Sequence, residues 1–406
     1  MTQALKHTIK NHYSLGIMIF GSVSVFIANI LFRDLLSPEH YYKYSILIIF
    51  IALMNSFGLF GLEQVFVRLT IIKNDVLEVS KKNIQAIGII ALVNSFVFTW
   101  VLKWNYRFED SFLLLVLMSM PVICLVFFYN FFRLNSNFVI AQLASNSWKI
   151  YLGLGVLFTY FFNLEINFDS FLIGLITALL LTVLCCVLLT KKIKVVFVDL
   201  ISLREMLKLA FQFFISLLTL SFIAQSDKLI VEEFFGAEKF IDYFYLANLF
   251  LFPFSFIQSY IGFKEIIVMK KDHNYNLLKA SIRVFAFAIV FSILLVGIVL
   301  ALAKFSFIKI DLYANSAIIL LFLLTGVLRL VYAIYSSYFS CFANTKDVKW
   351  VNTFSIISSL VLLYIVSNIN LNVNVIALFL ASLWMMRLNI WVVYSFKLRK
   401  RLCDTN

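Results

Sequence analysis

Proline is nearly missing from this chain, with 3 residues among 406. Proline is the strongest interrupter of helices, so its scarcity favours long unbroken ones. Charge is scarce as well: Asp, Glu, Lys and Arg make up 14% of the residues against 63% hydrophobic, which excludes an ordinary soluble domain. The five cysteines (Cys124, Cys185, Cys186, Cys341, Cys403) form no CxxC pair and no ligand spacing with the four histidines. Neither a disulfide framework nor a metal site is therefore expected, and the four cysteines within apolar spans read as inert small residues. The phosphate-cradling GxxxxGK[ST] loop, HExxH and GxSxG do not occur, so neither ATP-driven transport nor hydrolytic chemistry is predicted. The acids Glu232, Glu233, Glu238 and Asp242 read as a solvated face of a short outer loop, not as paired catalytic carboxylates. The chain is not read as an enzyme, and no cofactor is expected.

What is present is apolar length. Phe alone occurs 46 times, and runs of roughly twenty apolar residues recur, the length of a membrane-crossing helix. Alternating segments of about ten residues, the mark of a membrane barrel, are not the pattern here. The runs predict an all-α polytopic membrane protein with twelve spans. These lie near 14–32, 44–66, 84–102, 111–132, 138–162, 170–190, 207–231, 243–263, 280–303, 313–342, 350–367 and 373–396. The basic start and the run after it lack a small-residue cleavage site and read as a retained first helix.

Basic residues are distributed unequally between the two sets of connecting segments. With the N-terminus inside, cytoplasmic segments and the span ends beside them hold 23 of the 34 Lys and Arg residues, outer ones hold 8, and 3 remain near the middle of spans. This positive-inside bias predicts a multi-pass membrane protein with both termini in the cytoplasm. The net charge of +13 is then explained by topology and anionic-lipid contact, with no nucleic-acid partner.

The three basic residues near the middle of spans are Lys149, Arg329 and Arg387, none with an acid beside it in sequence. A cation at mid-bilayer costs about 2.5–3.5 kcal/mol on insertion scales, so it usually faces a cavity, a partner or a substrate. The competing reading for each is a stem that snorkels to the interface or a contact with another helix, and for Arg387 snorkelling is the simpler one. Arg68, with Glu63, sits at the inner end of the second span, where helix-end anchoring competes with a substrate role. Asp227 and Lys228 fall at the outer end of the seventh span and are expected to form a gate or turn without facing one another. Tyr243 and Tyr245 read as interfacial anchors. Asn29, Asn55, Asn94 and Gln225 read as interhelical hydrogen-bonding groups.

The second half partly rewrites the first. Leu36-Ser37-Pro38-Glu39-His40-Tyr41-Tyr42-Lys43-Tyr44 aligns with Phe235-Gly236-Ala237-Glu238-Lys239-Phe240-Ile241-Asp242-Tyr243 at a constant offset of 199. Two six-helix lobes follow from this, residues 1–190 and 206–406, joined by a basic connector at 191–205. Parallel repeats of that kind imply pseudo-two-fold symmetry about a central cavity.

Several of these segments also resemble a known family. Leu36-Ser37-Pro38-Glu39 with Tyr44-Ser45, Gly58-Leu59-Phe60-Gly61-Leu62 with Arg68, Ser226-Asp227-Lys228-Leu229-Ile230, Phe235-Gly236 and Tyr243-Phe244-Tyr245-Leu246-Ala247 carry the likeness. Together they resemble the polysaccharide (O-antigen) flippases of the Wzx type, in the superfamily that also holds the MATE exporters. Tyr42 and Asp242 stand where that family often has Gly, and Phe211-Gln212-Phe213 stands where it often has Pro.

The resemblance implies export of an undecaprenyl-diphosphate-linked oligosaccharide, for O-antigen or capsule, by alternating access. It also implies coupling to a proton or sodium gradient, and the polymerase and chain-length regulator of the same pathway as partners. A lumen bearing Lys149, Arg329, Arg387 and Arg68 would suit the diphosphate. A MATE-type small-molecule antiporter is the alternative, and a membrane polysaccharide polymerase a more distant one.

Overall fold

The computed structural model describes residues 3–404 apart from 74–75, 109–110, 199–201, 272–274, 306, 309 and 344. Most of each predicted span falls on helix. The first half forms α1 (Gln3–Leu35), α2 (Pro38–Phe57), α3 (Leu62–Leu69), α4 (Lys81–Asn105), α5 (Phe112–Leu134), α6 (Phe138–Phe161) and α7 (Phe168–Thr190). The second half forms α8 (Leu203–Phe250), α9 (Phe252–Lys271), α10 (Leu277–Lys304), α11 (Ser316–Phe342), α12 (Thr345–Ser367) and α13 (Val373–Asp404).

Ten of the described helical stretches are long and apolar enough to cross a membrane. The 48-residue α8 alone holds the seventh predicted span and the start of the eighth. The protein is an all-α polytopic membrane protein.

The chain separates into two compact units, Met1–Ser221 and Phe222–Asn406. In the first, α1 lies along α6 at very short range. A Cβ on Gly21 would come within 2.7 Å of Asn146, and one on Gly153 within 2.5 Å of Ser24. Small residues permit this approach, which in lipid is the main source of helix–helix attraction.

The second predicted span, 44–66, is broken between α2 and α3. Gly61 adopts φ 77°, and a Cβ there would meet the Ala210 carbonyl at 2.5 Å, so only glycine fits. Phe60 stacks on Phe214 at 4.0 Å across the same contact. The break frees backbone groups, and the Asn94 amide donates to the Gly58 carbonyl at 2.6 Å. Asn94 therefore has the hydrogen-bonding role its position in a span suggested.

The connector was expected to be loop, but part of it is strand. β1 (Ile71–Lys73) pairs antiparallel with β2 (Val76–Ser80), and β3 (Val195–Val198) runs parallel to β2 with Leu77 opposite Val195. The run Val195-Val196-Phe197-Val198 is β-branched and aromatic, which suits a strand once a partner edge is present.

In the second unit α11 is the central helix, packed on α9, α10 and α13. Gly326 faces the Phe254 ring so closely that an added Cβ would lie 2.5 Å from it. The turn expected at Asp227–Lys228 is displaced: both residues lie within α8, and the chain departs from helical geometry at Gly236, with φ 75° and ψ −179°. That conformation costs glycine nothing and other residues strain. The acids Glu233 and Glu238 flank this break on helix, exposed, and not on an extended loop.

The offset of 199 places Ser37 on Gly236. Ser37 is the extended residue that ends the first helical stretch and caps α2. Each half thus breaks at the corresponding residue after a helix of similar length.

Candidate functional site

The two basic residues that are buried among the described residues, Lys228 and Arg387, both lie in the second unit. Arg329 on α11 donates through Nε to the Gln258 Oε1 of α9 at 2.9 Å, and its guanidinium lies 4.9 Å from the centre of the Trp384 ring of α13. One turn further along α11, Tyr332 sets its edge against Trp384 at 5.5 Å and against Trp391 at 5.3 Å. Arg387, on the same face of α13 as those two tryptophans, sits 5.2 Å from the Tyr332 ring and 5.6 Å from Trp391. Phe339 closes the stack against Trp391 at 4.8 Å. Each arginine is therefore held over aromatic faces, a contact that strengthens when water is excluded.

Arg387 does not snorkel. It is only 3% exposed, and its Nε and Nη1 have no hydrogen-bond partner among the described residues. It borders a crevice too tight to admit a water molecule, whose wall includes Ser355, Ser358 and Ser359. Those hydroxyls donate back to carbonyls of their own helix, which leaves oxygen lone pairs free to accept.

Asp227 and Lys228 were expected at a span end, in a gate or turn, and not facing one another. Instead Asp227 is fully buried, and its Oδ1 lies 3.5 Å from the Lys228 ammonium. Lys228 curls back along its own helix and also donates to the Ala224 carbonyl at 3.3 Å, which is how neighbours in sequence come to meet. Tyr243 is no interfacial anchor: it is 1% exposed and donates its hydroxyl to Asp227 Oδ2 at 3.0 Å. Tyr245 is equally buried. Arg329 lies within electrostatic range of this pair, while its own hydrogen bond goes to Gln258.

The first unit repeats one part of this arrangement. Tyr44, the residue 199 positions before Tyr243, donates its hydroxyl to Asn29 Oδ1, and Tyr41 donates to the Asn29 carbonyl at 3.1 Å. In both halves a buried tyrosine of the helix after the break thus binds a polar side chain of the helix before it. The first half uses a neutral amide where the second uses a carboxylate.

Lys149 is half-buried on α6. It donates to Asn146 Oδ1 at 3.1 Å and lies 5.7 Å from the Trp148 ring, while the Asn146 amide is held by the Gln142 side chain at 2.9 Å. Its partners are all on its own helix. Arg68 is exposed in the last turn of α3, where its charge complements the helix dipole. Glu63, five residues earlier, is 3% exposed, and no well-formed hydrogen bond reaches either carboxylate oxygen among the described residues.

The structure thus joins Lys228, Asp227 and Arg329 in one electrostatic group, with Arg387 on the adjoining aromatic stack. Lys149 and Arg68 belong to the other unit. Sequence reasoning missed Gln258, Tyr332, Trp384 and Trp391. The spacing Trp384-Arg387-Trp391 and Arg329-Tyr332-Phe339, at three and four to seven residues, marks one face of each helix and was the available signal.

Comparison with solved structures identifies the class of fold. The chain is similar to the outward-facing conformation of a multidrug resistance MATE family transporter of the MOP superfamily, with TM-score 0.57, 13% identity and 97% of each chain covered. It is also similar to the inward-facing conformation of such a transporter, with TM-score 0.53, 12% identity and 98% of each chain covered. A MOP superfamily transporter from Pyrococcus furiosus matches with TM-score 0.56 and 12% identity over 96% of each chain; its binding pocket is described as of reverse polarity, suggesting a different function.

No protein-family model matches the chain, and no curated protein matches it. The protein is a polytopic membrane protein with the fold of the MOP superfamily transporters.

Proposed function

We propose that this protein is a transporter that carries an anionic lipid-linked oligosaccharide across the bilayer by alternating access. The observation that carries the reading is the balance of charge inside the second unit, where Lys228, Arg329 and Arg387 are set against Asp227, the one fully buried carboxylate of that unit among the described residues. An excess of desolvated cations suits a diphosphate, which cannot cross about 30 Å of hydrocarbon without replacing its water. Arginine adds a planar fork that matches phosphate oxygens, and the flanking Trp and Tyr faces suit sugar rings. The substrate is undecaprenyl-diphosphate-linked saccharide, moved from the cytoplasmic to the outer leaflet of the bacterial inner membrane for O-antigen or capsule, with a proton or sodium gradient as the driving force.

The test is reconstitution of the full chain into liposomes carrying a labelled undecaprenyl-diphosphate oligosaccharide, with transfer between leaflets read by accessibility to an impermeant quencher. Wild-type protein accelerates transfer, and Arg329→Glu and Arg387→Glu reduce it to the protein-free background. If these and Lys149→Glu all transfer at the wild-type rate, the cationic mechanism is wrong.

A second reading, gradient-driven antiport of a small organic cation, draws on Glu63, whose buried carboxylate lacks a cationic partner among the described ion pairs. Uptake of an organic cation that stops in Glu63→Gln, with the lipid-linked saccharide left unmoved, would reverse the ranking.

A further inference from the structure

The hairpin of α12 and α13 is strongly asymmetric in charge. Its connecting turn, Asn368-Ile369-Asn370-Leu371-Asn372, carries no ionisable residue, whereas its open end carries Lys346, Lys349, Lys397, Arg399, Lys400 and Arg401 against Asp347 and Asp404. Between the first turns of α12 and the last turns of α13 lies a cavity of about 510 Å³ that opens to the surface.

Its walls are ordered. Arg401 grips Asp347 with both terminal nitrogens, at 3.3 and 2.7 Å, which pins the two helices together and neutralises the acid. Trp350, Phe354 and Tyr394 form a ladder of rings, at 6.0 Å and then 6.2 Å between centres, with half of the Trp350 surface exposed. Lys346 and Lys397 complete the lining, both exposed and with no acidic partner among the described residues.

We propose that this cavity binds the headgroup of an anionic glycerophospholipid of the leaflet that faces the basic end of the hairpin. The rings are those that settle at headgroup depth, and two uncommitted ammonium groups beside them supply the counter-charge to a phosphate. The Arg401–Asp347 clamp holds the two walls at a fixed spacing, so the site is formed before the lipid arrives. The site is separate from the arginine–aromatic stack and does not depend on the transported substrate.

The test is a binding titration of the purified full chain in mild detergent by native mass spectrometry, with dioctanoyl phosphatidylglycerol, dioctanoyl phosphatidylcholine and glycerol 3-phosphate. Phosphatidylglycerol is expected to bind roughly 10–30-fold more tightly than phosphatidylcholine, from about 1 kcal/mol per lysine near the surface. The double variant K346Q/K397Q loses that preference. R399Q/K400Q, which removes the same charge from outside the cavity, keeps it.

Equal binding of the two lipids overturns the proposal, and this arm needs no variant. Equal weakening by both double variants would mean diffuse attraction with no site, and glycerol 3-phosphate binding as tightly as phosphatidylglycerol would mean a soluble-phosphate site; either result also overturns it.

Discussion

Replacing Tyr243 by Phe removes one hydroxyl, and the cost falls on Asp227. The carboxyl keeps Lys228 at 3.5 Å but loses its 3.0 Å donor while remaining fully buried. A loss of about 1–2 kcal/mol is expected, read as a lower unfolding temperature of the solubilised protein. Tyr44→Phe, whose acceptor is the neutral side chain of Asn29, is expected to cost less, because hydrogen bonds to neutral groups are the weaker ones. Equal losses at the two positions would show that the acidic character of Asp227 does not matter to stability.

This pair also marks what was legible at residue scale. The repeat identified Tyr44 and Tyr243 as equivalent, yet aromatic character near a span end suggested interface for Tyr243, and only the folded chain showed both to be buried. Arg387 was misjudged for a similar reason. Its distance along the helix allowed snorkelling, but Tyr332 and Trp391 hold it from the side.

Among elements, close approach of helices is the controlling factor. Gly326→Ala would drive a methyl into the Phe254 ring, forcing α11 from α9 or the ring from its place, with an expected loss of about 1–3 kcal/mol. Because Arg329 lies three residues further along α11 and reaches α9 through Gln258, transfer activity should fall in the same variant. Gly88→Ala on α4 is the control: nothing lies within 4 Å of its added methyl. There the higher helix propensity of alanine should leave stability unchanged or raise it by up to about 1 kcal/mol. Parallel unfolding curves for the two variants check both expectations.

Helix existence was readable from hydropathy, and the elements not foreseen were the irregular ones. The α2–α3 break depends on the approach of Ala210 to Gly61, and β3 forms only because β2 offers an edge. Both depend on residues more than a hundred positions away. Local propensity carries no signal for either.

For the whole molecule the testable consequence is orientation. In an otherwise cysteine-free chain, a cysteine at Asn370, in the uncharged α12–α13 turn, should react with an impermeant maleimide in intact cells. One at Lys400, at the basic end of the same hairpin, should react only after the membrane is opened. The opposite labelling pattern would invert the topology and, with it, the leaflet assigned to the anionic-lipid site.

Spans, the basic asymmetry between their two ends, and the 199-residue repeat were all present in the linear order of residues, because hydropathy, charge count and register need no knowledge of neighbours. The identity of the site was not. Periodicity tells which face of a helix a residue occupies, but not which helix will cover that face. Arg329 meets a glutamine 71 residues earlier in the chain, and Arg387 is held by a tyrosine of α11. Those partners were chosen by how α9, α11 and α13 fit together side by side, through small residues and interlocking rings. Three isolated basic residues in the sequence thereby became two arginines on an aromatic stack in one unit and a lysine held by its own helix in the other.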